Sequence, residues 1–227
     1  MDIKPTFDHF LIYSNNLESD FRRFRERFDF PILFPVTNYG SFSSGMFACE
    51  NSILELVSYD NPSLPKANNS ERIWFSGFAL RSEIIIENLQ IYFETNNLNT
   101  SDIITQCVND KDGKNIPISK VILINDILEH FQIFYIQYIN NFLESKFLEL
   151  SKISKWKIIN FNIDVEDTEF TKNQFQKIGF AEIKNSSFSD KRDIEFNLNN
   201  SNSKFPVIKS FYIKSKEEII NLIDFFL

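Results

Sequence analysis

Two side chains combine a reactive type with a setting in which reactivity would count. They are His9, in the run Phe7-Asp8-His9-Phe10-Leu11-Ile12-Tyr13, and Glu55, in Ile53-Leu54-Glu55-Leu56-Val57. Both runs read as short β-strands, and along a strand alternate side chains share a face. With Phe10 and Ile12 turned toward a helix, His9, Leu11 and Tyr13 face the other way, into a cleft. Ile53, Glu55 and Val57 likewise share one face, which makes Glu55 a carboxylate flanked by apolar neighbours. A buried carboxylate needs a metal, another cation or a proton. The plainer alternatives are a hydrogen-bonded core histidine and a solvent-facing strand glutamate. His130, between Glu129 and Phe131, reads as a surface residue. Cys49 and Cys107 read as small buried hydrophobes, since two cysteines make neither a disulfide framework nor a zinc knuckle.

The elements that must position these groups come from 227 residues, enough for one large domain or two small ones. The 26 Phe against only 5 Gly predict a core of rings and leave no glycine-rich cradle for phosphates. Lys+Arg total 24 against 31 Asp+Glu, a net charge of −7, which argues against a nucleic-acid partner. The dense basic stretch Arg22, Arg23, Arg25 and Arg27 alternates with Phe21, Phe24 and Phe28 and reads as the solvated face of an amphipathic helix. The opening residues show no charged segment leading into a long apolar one, and no run approaches the roughly 18 apolar residues of a membrane span. A cytoplasmic protein without membrane partners is expected.

One order of elements recurs. A strand over Phe7–Tyr13 is followed by a helix whose Leu17, Phe21, Phe24 and Phe28 share a face, with Asn15 and Glu18 spaced as a capping box. Pro31 ends it, and strands follow at Ile32–Phe34, Phe42–Ala48 and Ile53–Val57. A second copy runs through Ile73–Leu80, a helix capped by Ser82 and reaching Tyr92, and strands near Ile103–Val108, Lys120–Ile124 and Ile133–Ile139. A third begins at Lys157–Ile163. Its helix ends at Gly179, a residue suited to the C′ position, and strands at Ala181–Lys184, Ile194–Leu198 and Val207–Ile213 come after it. The pattern predicts an α+β fold of about three β-α-β-β-β modules, whose curled, antiparallel-rich mixed sheets form a cleft. Paired modules occupy 6–60 and 72–140 within 1–140, a connecting helix 141–155 and a third module 156–227. Residues 61–70 and 199–204 read as loops, and Lys216–Leu227 as the helix of an incomplete fourth unit.

The order Asp8-His9…Asn15-Asn16-Leu17-Glu18…Phe30-Pro31…Tyr39-Gly40-Ser41-Phe42…Gly45…Glu50-Asn51…Leu54-Glu55-Leu56-Val57 resembles the first module of the vicinal oxygen chelate superfamily. That superfamily includes glyoxalase I, extradiol dioxygenases and bleomycin-resistance proteins, and the pattern is most similar to its glyoxalase-like domains. The resemblance implies paired modules around a cleft and, in the enzymes, a divalent metal held from the first and fourth strands of each module. Carried over, the ligands fall on His9 and Glu55, with Gln137 as the fourth-strand position of the second copy. The first-strand position there is Gly77, which has no side chain to offer. Imidazole, carboxylate and amide oxygen suit Zn²⁺, Fe²⁺, Mn²⁺ or Ni²⁺ rather than a thiolate site.

The resulting expectation is a glyoxalase- or dioxygenase-like protein that binds a small organic molecule. Glu55 would be the catalytic residue, and Tyr13, Arg81 and Tyr135 would contact substrate; the plainer readings are a rim salt bridge for Arg81 and a polar cleft lining for Gln137. If it is an enzyme, it is a metal-dependent lyase, isomerase or dioxygenase. The alternative is a metal-free binding or sequestering protein of the bleomycin-resistance type. Modules of this kind work in pairs, so the third needs either the partial fourth unit or a second chain, the latter giving a homodimer.

Overall fold

The computed structural model describes residues 1–59, 72–109, 113–125, 127–203 and 205–226; the stretch 61–70, expected as a loop, lies outside them. The first module comprises β1 (Thr6–Ser14), α1 (Leu17–Phe28), β2 (Ile32–Asn38), β3 (Phe42–Ala48) and β4 (Ile53–Tyr59). The second comprises β5 (Ile73–Arg81), α2 (Ile86–Thr95), β6 (Ile104–Asn109), β7 (Asn115–Leu123) and β8 (Gln132–Tyr138). After α3 (Phe142–Ser151) the third module brings β9 (Lys157–Val165), α4 (Thr168–Lys177), β10 (Glu182–Lys184), β11 (Ser187–Ser189) and β12 (Glu195–Asn200). The chain closes with β13 (Val207–Lys214), β14 (Ile219–Asn221) and a 3₁₀ turn at Leu222–Phe225.

The first two modules share one eight-stranded sheet of order β2-β3-β4-β1-β5-β8-β7-β6. β1 and β5 lie antiparallel at its centre, and each runs parallel to the last strand of its own module. A second sheet, β10-β11-β12-β9-β13-β14, repeats this centre: β12 is parallel to β9, and β13 is antiparallel to it. β13 is therefore the first strand of a fourth, truncated unit rather than the last strand of the third. The third module's short β11 was absent from the sequence reading, and the described residues of the expected C-terminal helix, 216–226, carry β14 and the 3₁₀ turn instead.

Helix α1 buries the predicted stripe Leu17, Phe21, Phe24 and Phe28, with Glu18 and Asp20 in its first turn and Arg25 and Arg27 in its last, as the helix dipole favours. Its N-cap is Asn16, which makes no side-chain cap bond, so the expected Asn15–Glu18 box does not form. Instead the Ser14 hydroxyl accepts from Asn16 N–H at 3.0 Å and donates to the buried Asp20 carboxylate at 2.6 Å. α2 starts at Ile86, later than a Ser82 cap implies; the Ser82 hydroxyl serves the preceding turn at Ile84.

The two sheets pack through rings. Phe7 and Phe10 of β1 meet Phe161 of β9 at 5.4 and 5.3 Å between centroids, and Phe10 meets Phe211 of β13 at 4.9 Å. Edge-to-face pairs of this kind add specific attraction to burial. Polar contacts fix the sheets in register. The Asp190 carboxylate accepts from the N–H groups of Phe7, Arg192 and Ile194, and Asn51 exchanges hydrogen bonds with both backbone groups of Ile158. These contacts leave the opposite face of the first sheet, the one bearing His9 and Glu55, free to enclose a cavity.

Candidate functional site

A local irregularity creates the site. In β1 the pairing with β5 slips between Phe7 and His9, so Asp8 is a bulged residue. A bulge puts neighbouring side chains on the same side of a strand, and Asp8 and His9 do meet: His9 Nδ1 lies 2.8 Å from Asp8 Oδ1. On the far side of the ring, His9 Nε2 lies 3.3 Å from Glu55 Oε2. The three side chains form a carboxylate–imidazole–carboxylate row, with Asp8, His9 and Glu55 only 3%, 4% and 6% exposed. Asp8 also accepts from the Tyr138 hydroxyl at 2.6 Å and faces Arg81 Nε at 3.7 Å.

Burial and partners pull the three groups in different directions. Burial pushes the Asp8 carboxyl up, but the His9 hydrogen bond and charge, the Tyr138 hydroxyl and Arg81 outweigh it and hold it below the ordinary value. Burial disfavours charge on His9, yet the Asp8 hydrogen bond and the charges of Glu55 and Asp8 prevail and raise it. Glu55 is raised because desolvation exceeds the help of His9 and Ser44. The surroundings thus favour the anionic form of Asp8 and the cationic form of His9, while burial favours the protonated form of Glu55.

His9 and Glu55 open onto a cavity of about 580 Å³, within the usual range for small-molecule sites. Its wall is largely apolar and aromatic, and Phe34, Tyr39, Phe42, Tyr59, Phe134 and Phe142 all contribute. Polar groups enter in pairs: Tyr59 donates to Gln132 at 2.7 Å, and Ser119 to Gln106 at 2.6 Å. Two β-α-β-β-β modules joined across their first strands thus curl around one cavity. This is the paired-module fold that the resemblance to the vicinal oxygen chelate superfamily implies.

No protein-family model matches the chain, and no curated protein is similar to it in sequence. Among solved structures, a hypothetical protein from Staphylococcus aureus is similar at a TM-score of 0.68 and 15% identity, over 94% of this chain and 92% of that one. Streptomyces coelicolor methylmalonyl-CoA epimerase in complex with 2-nitronate-propionyl-CoA is similar at 0.45 and 12% identity, over 59% and 97% of the two chains. Homoprotocatechuate 2,3-dioxygenase from Arthrobacter globiformis is similar at 0.48 and 12%, over 88% and 61%.

Within this paired-module fold the modules can be compared residue by residue, because each first strand carries the same bulge. The slips fall at Asp8, Ser76, Ile159 and Lys209, so His9, Gly77, Asn160 and Ser210 are equivalent. His9 pairs with Ile53, two residues before Glu55; Gly77 pairs with Gln132, two before Phe134; Asn160 pairs with Glu195, two before Asn197. The second-module counterpart of Glu55 is therefore Phe134, not Gln137.

Of the residues singled out from sequence, His9 and Glu55 come together at the cavity. Tyr13 sits farther along the same face, stacked on Trp74 at 4.2 Å, while Tyr59, its other ring neighbour, lines the cavity. Arg81 does not reach the wall; it bridges Asp8 to Glu144 of α3, 3.0 Å away, and lies over the Tyr138 ring. Gln132, Phe134, Ile136 and Tyr138 line the cavity, so the alternation of β8 turns Tyr135 and Gln137 to the opposite side. There Tyr135 donates to Ile178 of the third module at 2.6 Å, and the Gln137 amide oxygen accepts the first N–H of α2 at 2.9 Å. Both satisfy buried backbone groups instead of contacting a ligand. Cys107, expected to be buried, is exposed because β6 is the outermost strand of its sheet. Sequence reasoning passed over Asp8, whose signal is an acid wedged between Phe7 and His9 in an apolar strand.

The donor set does not suit the divalent metal that the sequence resemblance implies. His9 is engaged on both nitrogens, Gly77 offers no donor, and the Phe134 ring stands edge-on to His9 at 5.5 Å where a second carboxylate would be needed. Among the described residues no three His, Cys, Asp or Glu side chains are grouped to hold an ion. None of the described helices is long and apolar enough to cross a membrane.

Proposed function

We propose that this protein binds a small, largely apolar organic molecule in the cavity without a metal, and anchors its polar end at His9 and Glu55. The observation that carries this reading is a buried acid–base row opening onto an aromatic-walled cavity of about 580 Å³. Polar groups placed sparsely in an apolar wall orient a ligand, and the wall supplies the affinity.

The test is a fluorescence titration with Nile red, an uncharged apolar dye. Saturable binding is expected, and Ile118→Trp, which enlarges a half-buried side chain in the wall, should weaken it at least about tenfold, or ~1.4 kcal/mol. Dye binding that ignores this substitution would remove the cavity from consideration. Calorimetric titration with Zn²⁺, Ni²⁺ and Mn²⁺ should show no saturable binding that depends on His9 and Glu55.

A second reading draws on the hydrogen bond between Asp8 and His9 Nδ1. A carboxylate on one ring nitrogen orients the imidazole, and a bound molecule that takes the place of the 3.3 Å contact to Glu55 would exchange a proton with the other. Glu55, raised by burial, would be the partner that gives or takes that proton. Proton transfer on a bound carbon acid is the reaction class that this row supports.

A further inference from the structure

The balance of charge around the cavity narrows the class of ligand, and this step rests on the reading of the cavity as a binding site. Three carboxylates, Asp8, Glu55 and Glu144, meet only two basic side chains, His9 and Arg81. Arg81 is committed to Asp8 and Glu144, and His9 is committed to Asp8 at 2.8 Å. Among the described residues that line the cavity there is no Lys or Arg, and Glu55 is the one carboxylate. His9, the one basic group in the lining, is shared between Asp8 and Glu55, which lies 3.3 Å from its Nε2. A ligand anion would compete with both carboxylates for it, whereas a ligand cation would bring the positive charge that three carboxylates lack against two basic groups.

The wall suits the same charge. Aromatic faces carry negative potential and attract ammonium groups, more strongly when water is excluded. Phe34 already shows this behaviour with Lys146, whose Nζ sits 4.4 Å from the ring centre. Tyr39, Phe42, Tyr59 and Phe134 add further rings around Glu55 and His9. We propose that the ligand is an organic cation, an ammonium group on an apolar body, whose charge is met by the Glu55 carboxylate and the surrounding ring faces.

A proton-linkage signature follows. Burial raises Glu55, so it keeps its proton to higher pH, and an adjacent cation favours the ionised form. The groups facing it are His9 and Asp8 from β1, Ser44 from β3, Tyr39 before that strand, Tyr59 from β4 and Tyr138 from β8. The three tyrosines are raised and stay neutral, and the 2.8 Å hydrogen bond to Asp8 holds the proton on His9, which leaves Glu55 as the group that sheds a proton when the cation arrives.

The experiment is displacement of Nile red by three probes of nearly equal shape: benzyltrimethylammonium, its uncharged carbon isostere neopentylbenzene, and the anion phenylmethanesulfonate. The cation should compete at least about tenfold better than the isostere, equivalent to ~1.4 kcal/mol, and the anion worst. Glu55→Gln, which keeps the shape, should erase the preference for the cation. Calorimetry of the wild type in phosphate and in Tris should show different binding enthalpies, the mark of a released proton, and this stands even if the variant does not fold. A neutral probe that competes as well as the cation, an anion that competes best, or three probes that all fail while Nile red binds would each overturn the assignment. Failure of Nile red itself to bind would instead sink the binding reading beneath it.

Discussion

Replacing Gly77 by alanine adds a single carbon, and the structure sets what that carbon would meet. A Cβ on Gly77 would lie 2.3 Å from the Gln132 carbonyl oxygen and 2.8 Å from its Cβ. Non-bonded atoms prefer roughly 3.5 Å or more, so β5 and β8 must part by about 1 Å where Gly77 pairs with Gln132. Forcing extra volume into a packed interior costs about 1–3 kcal/mol. The shift also disturbs the hydrogen bond from Tyr59 to the Gln132 side chain, worth about 1 kcal/mol. The expected loss is therefore about 2–4 kcal/mol, or roughly 5–15 °C in the unfolding midpoint for a chain of this size. Urea denaturation followed by circular dichroism measures it directly. A midpoint unchanged within the equivalent of about 0.5 kcal/mol would show that the strands separate freely there. The steric account of why this module has no first-strand donor would then be wrong.

The remaining predictions concern the acid–base row and the side chains turned away from it. Asp8 is lowered in the folded state, so its stabilisation is present above its ordinary value of 3.8 and is lost as pH falls through the lower folded value. His9 is raised, so its contribution is complete below 6.5 and is lost as pH rises through the higher folded value; urea melts of wild type and His9→Asn across that range should converge at the alkaline end. Tyr135→Phe removes the hydroxyl that serves Ile178 and should cost about 1 kcal/mol in urea while leaving Nile red affinity unchanged; a weakened dye would return this ring to the cavity. Phe134→Glu places a carboxylate beside His9 and Glu55 and should create saturable Zn²⁺ binding by calorimetry, since three donors meet the minimum of a zinc site.

How much of this was legible depended on whether a strand has two distinguishable faces. In α1 the apolar residues Leu17, Phe21, Phe24 and Phe28 carry clear helical periodicity, and in β1 and β4, buried nearly throughout, a single reactive side chain, His9 or Glu55, marks the cavity face by its type; the elements formed where they were placed. In β8, parallel to β5 and antiparallel to β7, the run Ile133-Phe134-Tyr135-Ile136 is apolar or aromatic at every position, so no side chain marks which face is which. Without alternation the parity is unreadable, and a slip of one residue exchanges every side chain between faces. Gln137 stood out by type, yet Phe134 holds the position. The bulge at Asp8 was invisible for a related reason: it depends on pairing with β5, far away in the sequence. The C-terminal β14 likewise exists only because β13 offers it an edge, whereas its local composition favours a helix.

β1 carries the reactive row on one side and Phe7 and Phe10 on the other, locked among rings of the second sheet. Tightly packed interiors resist compression and transmit strain. The strand that presents Asp8 and His9 is thus mechanically a backboard, braced from behind by β9 and β13. Of the two outermost strands, β2 is backed by α3 through Leu33 and Phe147, whereas β6, exposed over 104–107, has no such brace. Accommodation of ligands of different girth falls to the β6 flank. The row keeps one spacing while the walls breathe around it, and variants that loosen Phe161 or Phe211 should blur selectivity at the cavity from behind, without touching its lining.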